Sequence, residues 1–344
     1  MTVEKMNTGQ VMTVLGPVPA DELGVVLINE TLLSVYPGAE YAPEIKLDRS
    51  EIFGILKNKL IDFRRLGGKT IVDHSGMFHG RDVWLYETLS KTTGVHIVAS
   101  TGLGPEKMLS GYFTTPQTQP PTPWPAEKFA KLFIQEVQEG IPVPRVERAG
   151  KAGLVTSIAT ELGIVEIEEN LFRGSAQTAL ATGIAVSVQY GANAENDLAV
   201  ILSTGIVANR VIIGSLDRLD AVRDKVAFKI AEKGAYIAIN HVGWSTEDGY
   251  INDTERVELV KDLIDKGYEK QILISSSAVG VAKGHSTTDL DYSYLLEKFV
   301  PMLEQAGVTK EQIRSLLQEN PQRVLAANTM IITDQVAALA TGSN

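Results

Sequence analysis

A (β/α)8 TIM barrel is the architecture predicted for this chain, an α/β protein with one long loop after its third strand. Three observations predict it. Eight short apolar runs rich in β-branched residues alternate with eight helical patterns along 344 residues, the signature of parallel βα units. Eight units over this length favour a closed ring over an open, doubly wound sheet. No linker divides the chain and no repeat is visible, so residues 1–344 are expected to form a single barrel domain with a short N-terminal lead-in and a C-terminal helix.

Taken in order, residues 1–23 form the lead-in, with a Gly-Pro-Val-Pro turn at 16–19. The run Gly24-Val-Val-Leu-Ile-Asn-Glu30 reads as strand 1. Ile52, Ile55, Leu56, Leu60 and Phe63 recur at helical spacing over 51–66, and Gly67-Gly68 ends that helix. Strand 2 is expected at 69–74 with its helix at 81–93, and strand 3 at 95–101. The Pro-rich segment 103–125 then interrupts the rhythm; it leaves the C-terminal end of strand 3 and is a candidate lid or substrate wall. After a helix at 126–138, strands fit at 153–159, 183–190, 209–215, 234–241 and 270–277, and helices at 165–182, 193–206, 217–233, 252–266 and 291–306.

Composition narrows the function. Hydrophobic residues make up 44% and charged residues 22%, as in an ordinary globular protein. A formal charge of −10 and a pI near 5.1 argue against a nucleic-acid surface. With no cysteine and five histidines, thiol chemistry is excluded and a metal site would need carboxylates. The N-terminus lacks the apolar core of a signal peptide, and no apolar run reaches the ~18 residues of a membrane span. A cytoplasmic protein is expected.

Active sites of such barrels lie at the C-terminal ends of the strands. The residues there are Asn29 to Thr31, Asp73-His74, Thr101, Ser157, Gln189-Tyr190, Ser215, Asn240-His241 and Ser275 to Ser277.

From end to end the chain resembles the phosphotriesterase family of the amidohydrolase superfamily. Thr13-Val-Leu-Gly-Pro-Val-Pro-Ala-Asp-Glu-Leu-Gly-Val25 is similar to that family's opening. Thr70-Ile-Val-Asp73 with Gly80-Arg-Asp-Val83, and Ile97-Val-Ala-Ser-Thr-Gly102, resemble its second and third units. Ala181-Thr-Gly-Ile-Ala-Val186 and Arg210-Val-Ile-Ile-Gly214 resemble its fifth and sixth, and Glu319-Asn-Pro-Gln-Arg-Val-Leu-Ala326 its closing helix. The resemblance implies a two-metal centre held by a His-x-His after strand 1, a lysine or glutamate after strand 4, histidines after strands 5 and 6, and an aspartate after strand 8. Those positions fall on Asn29, Thr31, Ser157 (or Thr156), Gln189, Ser215 and Ser277. Amides and hydroxyls hold a divalent transition metal poorly. A divergent member with no metal and no cofactor is therefore expected.

Such an emptied pocket suits a polar small molecule or a group of waters. Asn29, Thr31, Ser157, Gln189, Tyr190, Ser215, Asn240 and Ser277 are its expected substrate contacts. His74 and His241 are the expected proton-transfer pair, since histidine is the natural acid/base near neutral pH. Each also has a bland reading, a hydrogen-bonded histidine with no role in chemistry. His79 and His285 are assigned to loops and His96 to the start of strand 3. Glu30 reads as a buried structural carboxylate, and Asp73 as a supporting hydrogen-bonder that could orient His74 only if the chain kinks, since neighbours in a strand point apart. Asp217-Arg218 reads as an anion site or a rim ion pair, and Trp124, Trp244 and Tyr112 as pocket walls or packing. A metal held instead by His74, His79 and Asp73 is a further reading. There is no Gly-x-Ser-x-Gly elbow, and Gly102-Leu-Gly104 lacks the dinucleotide pattern.

Two functions follow. One is a metal-independent enzyme that hydrolyses a lactone or ester, or carries out a lyase-type reaction, on a small organic molecule. The alternative is a non-catalytic, ligand-binding relative. No nucleic-acid or membrane partner is expected, and the resemblance implies a homodimer.

Overall fold

The structure is a computed structural model that describes residues 9–109, 114–115, 122–143, 146–161 and 163–328. The apolar runs form strands that follow chain order around one parallel sheet: β1 (Val25–Val35), β2 (Gly68–Asp73), β3 (His96–Leu103), β4 (Ala152–Ile158), β5 (Ala185–Gln189), β6 (Val211–Gly214), β7 (Tyr236–Ile239) and β8 (Ile272–Ile274). Past a break at 275–278 the chain continues as β9 (Val279–Lys283), which pairs in parallel with the end of β1, Val279 beside Thr31 and Lys283 beside Val35. β8 and β9 are thus two halves of the eighth stave: one half pairs with β7, the other with β1, and the ring closes. The fold is a (β/α)8 barrel.

Alternation sorts the side chains into two cores. Val26, Ile28, Val72, Val98, Leu154, Ala185, Ile212 and Leu273 fill the interior of the ring. Leu27, Ile71, Ile97, Val155, Val186 and Ile213 face outward and pack under the helices. Among these, α1 (Arg49–Arg65) buries the stripe Ile52, Leu56, Leu60 and Phe63 and starts at Asp48, whose carboxylate accepts from Ser50 N and Glu51 N. The others are α2 (Val83–Thr93), α3 (Ala126–Gln138), α4 (Glu166–Thr182), α5 (Ala194–Leu202), α6 (Leu219–Arg223), α7 (Val226–Glu232), α8 (Asp253–Asp265), α9 (Val300–Gln305), α10 (Lys310–Arg314) and α11 (Asn320–Leu325), with a single short turn of helix at Glu106–Leu109. No helix among the described residues is long and apolar enough to cross a membrane.

Several expectations need correction. Gly16–Pro19 is a strand, not a turn; it pairs antiparallel with Gln10–Thr13, and residues 14–15 make the bend. Val11 from this hairpin joins the interior core. Strand 1 does not stop at Glu30 but runs to Val35, because β9 supplies five more residues of partner. The single helix expected over 217–233 is two, α6 and α7, separated where Lys225 adopts φ 53°. Part of the 103–125 segment, including Tyr112, lies outside the described residues.

One glycine holds the frame of the site. Gly102, at φ 114°, closes β3, and a Cβ there would sit 1.8 Å from the carbonyl oxygen of Thr156 on β4. Gly102→Ala is expected to destabilise the barrel by about 2–3 kcal/mol through overpacking and backbone strain, read as a lower urea midpoint.

Candidate functional site

At the C-terminal mouth of the barrel lies a cavity of ≈170 Å³. Asn29 and Thr31 of β1, His74 and Gln189 at the ends of β2 and β5, and Ser277 in the break after β8 line it. Ser34, Ser75, His79 and Ile158 complete the wall. Asn29 and Thr31 reach it only because β1 is irregular. Counted from Val26 and Ile28, strict alternation would turn Glu30 inward. A register shift between Leu27 and Glu30 reverses this, as a bulge does.

Glu30 therefore points out of the ring and holds the 275–278 segment. Its carboxylate accepts from Ser275 Oγ at 2.7 Å, from Ser276 N at 2.9 Å and from Ala278 N. Burial raises its pKa to about 7 despite these donors. Asp73 also faces outward, accepting from Leu32 N at 2.7 Å and Tyr86 OH at 3.0 Å. It does not orient His74.

His74 sits at the floor of the cavity, 4% exposed. Its Nε2 lies 2.7 Å from Ser187 Oγ and its Nδ1 3.0 Å from Thr156 Oγ1. A neutral ring satisfies both, one nitrogen donating and the other accepting. Burial lowers its pKa to about 4. The unfolded chain would protonate this ring near 6.5, so the barrel loses stability from this group as pH falls from 6.5 towards 4. The ring signals of His74 in NMR are expected to stay in the neutral form from pH 8 down to about 5; titration near 6.5 would contradict the burial.

His241 occupies a second, denser centre. Its Nδ1 is 3.0 Å from Asp217 Oδ1, and its backbone N–H donates to Asp217 Oδ2 at 2.9 Å. Arg256 Nε donates to the same Oδ2 at 2.9 Å, and both Arg256 and Asp217 are fully buried. Burial alone would raise the Asp217 carboxyl, but His241 and Arg256 outweigh it and hold it at about 2. Tyr250 stacks on the imidazole at 3.7 Å between ring centroids, and Trp244 meets it edge-on at 5.0 Å. Among the described residues Nε2 of His241 has no hydrogen-bond partner, so the ring is held with one nitrogen spoken for and the other open.

The remaining predicted contacts divide. Ser157 is a correction: it faces outward, its Oγ 2.7 Å from Ser175 Oγ in α4, while Thr156 takes the inward place beside His74. Asn240 Oδ1 accepts from Ser215 N at 2.7 Å while its Nδ2 is buried without a partner among the described residues, and neither Ser215 nor Asn240 lines the cavity. Tyr190 is buried under the Arg218 guanidinium, 4.5 Å from its ring, and is also outside the cavity wall. His241 is not part of that wall either; the link is Ser277, which lines the cavity and donates to the carbonyl of Asn240 at 2.7 Å. Ser215 and Ser277 hold left-handed φ of 61° and 46°, strain of the order of 1–3 kcal/mol each that surrounding structure must impose.

Asp217 and Arg218 do not pair with one another: Arg218 grips Asp220 in a fork at 2.9 and 3.0 Å. Trp244 packs on His241, whereas Trp124 packs on Phe129. His79 bonds to the Gly104 carbonyl at 2.8 Å, and the exposed His285 bonds to Ser34 Oγ at 2.8 Å on the rim. Sequence reasoning missed Ser187, although it lies two residues before Gln189 and so on the same face. It also missed Asp217 as the partner of His241, because the two are 24 residues apart.

These donors do not suit the dinuclear centre that the resemblance implied. The corresponding side chains are uncharged, Asn29 Nδ2 already donates to Ser277 Oγ at 3.3 Å, and both nitrogens of His74 are taken by hydroxyls. The reading in which His74, His79 and Asp73 share a metal fails because Asp73 points to the opposite face.

The profile of the Phosphotriesterase family matches residues 9–325. The chain belongs to the phosphotriesterase family. It is 24% identical over 306 residues to the phosphotriesterase homology protein of Escherichia coli (strain K12), covering 88% of this chain and 98% of that one. To the aryldialkylphosphatase of Saccharolobus solfataricus it is 27% identical over 321 residues, 89% of this chain and 96% of the relative. To the phospho-furanose lactonase of Mycoplasmopsis synoviae it is 28% identical over 340 residues, 91% of each. The last two relatives carry the names of hydrolases.

Proposed function

We propose that this member of the family is a hydrolase that works by acid/base chemistry without a bound metal, cleaving a lactone or ester of a small molecule. The observation that carries this reading is the Asp217–His241 pair with Nε2 unengaged. Asp217 accepts the Nδ1 proton and so leaves a lone pair on Nε2. In the proposed reaction Nε2 takes a proton from water as the water oxygen bonds to the carbonyl carbon. The carbonyl carbon–alkoxy oxygen bond then breaks, and the departing oxygen takes the proton back. Asn29, Gln189 and Ser277 would hold the substrate's polar groups, with His74 as a neutral hydrogen-bonding floor. A lyase-type proton transfer would use the same base; the relatives' names favour hydrolysis.

The second reading, a ligand-binding protein without turnover, is favoured by one observation: Thr156 and Ser187 already occupy both nitrogens of His74. Elemental analysis of protein purified without chelator, with a panel of lactones and esters assayed before and after EDTA dialysis, separates the readings. Substoichiometric metal with turnover unchanged by EDTA is expected. Turnover that requires a stoichiometric divalent metal would overturn the proposal, and binding without turnover would favour the second reading.

A further inference from the structure

We infer that the cavity at the barrel mouth selects an uncharged molecule with several hydrogen-bonding groups, such as a polyol or sugar lactone, and discriminates against its phosphorylated or carboxylate counterpart. The inference rests on the reading of this cavity as the ligand site and adds the class of ligand. Its described wall carries amides, hydroxyls and imidazoles, one aliphatic side chain in Ile158, and no Lys, Arg, Asp or Glu.

The ionisable groups near the mouth are turned away or already engaged. Glu30 and Asp73 face out of the ring. Arg218 is committed to Asp220, and Arg256 to Asp217 and Asp253. Arg81 is bound to Glu136 through both oxygens, at 2.7 and 2.8 Å. In the connection after β3 the only charged residues are Glu106 and Lys107, of opposite sign; from Met108 to Ala126 the sequence has no Lys, Arg, Asp or Glu. Burial keeps the two wall imidazoles, His74 and His79, below their ordinary pKa and hence neutral at pH 7.

A buried charge needs an opposite charge or a full set of charge-directed donors. This wall offers only neutral dipoles, which match hydroxyls and carbonyls one for one. At ≈170 Å³ the space equals five or six liquid waters at ~30 Å³ each, the scale of one small ring. A lactone entering neutral and leaving as a carboxylate would also lose affinity on hydrolysis, so the same feature favours product release.

The test is calorimetric titration of the full chain with matched pairs: ribonolactone against its phosphate monoester and against ribonate, and glycerol against glycerol phosphate. A neutral member is expected to bind about tenfold or more tighter than its charged partner. Gln189→Lys, which places a cation in the wall, should move the preference towards the phosphate by a similar factor, and Ser34→Lys at the rim serves if the first variant does not fold. Equal or tighter binding of the charged members by the parent, or no binding of any member, overturns the inference. Selective binding of the lactone without hydrolysis leaves it standing and removes the proposed function instead.

Discussion

Replacing His241 with alanine is expected to lower kcat on a hydrolysed lactone or ester by roughly 10²–10⁴-fold, the usual contribution of a positioned general base. Binding should change less than kcat, because the substrate's polar groups are held by Asn29, Gln189 and Ser277. The expectation follows from how thoroughly the ring is positioned. Asp217 takes one nitrogen, Tyr250 stacks on one face and Trp244 abuts the edge, leaving a single orientation with Nε2 open. His74→Ala is the comparison: a change in KM with kcat preserved would make the floor histidine a binding group. Activity of His241→Ala equal to that of the parent would sink the assignment of the base.

Removing the Asp217 carboxylate should produce the largest loss of stability in the molecule's polar interior, about 3–5 kcal/mol for Asp217→Ala, as is usual when one partner of a buried ion pair is deleted. Arg256 is 0% exposed and would keep Asp253 but lose the contact through Nε. The pH dependence has a definite sign. The folded-state pKa of Asp217, about 2, lies below its ordinary value of 3.8. Its contribution is therefore complete above pH ~4 and vanishes as pH falls through 2, amounting to about 2 kcal/mol. Urea unfolding of parent and variant at pH 7 measures the first quantity, and in the parent about half of the second should already be lost at pH 3. A variant in which Arg256 is also replaced by methionine should recover part of the loss, because it removes the stranded charge. An Asp217→Ala protein as stable as the parent at pH 7 would show that the carboxylate does not anchor this centre.

Much of the architecture is legible in the amino-acid sequence by itself. Apolar runs with the right spacing imply parallel strands, and amphipathic stripes such as Ile52-Leu56-Leu60-Phe63 imply the helices that cover them, because both patterns are local and repeat with a fixed period. The uncharged residues at Asn29, Gln189, Ser215 and Ser277 are a fact of composition at those positions. What depends on how strands meet in space is not legible. The resemblance already put Asn29 and Thr31, not Glu30, at the site, but the one-residue register shift in β1 that turns them inward is seen only in the structure. Since strand side chains alternate with period two, one slipped residue exchanges the two faces. The same parity separates Thr156 from Ser157 on β4. The partners of the two histidines come from other strands and helices, Ser187 and Thr156 for His74, Asp217 for His241 and Arg256 behind it. Their distance in sequence, 113 residues from His74 to Ser187, carries no local signal. Only closure of the ring brings those groups to one mouth, and burial there sets which of them ionise.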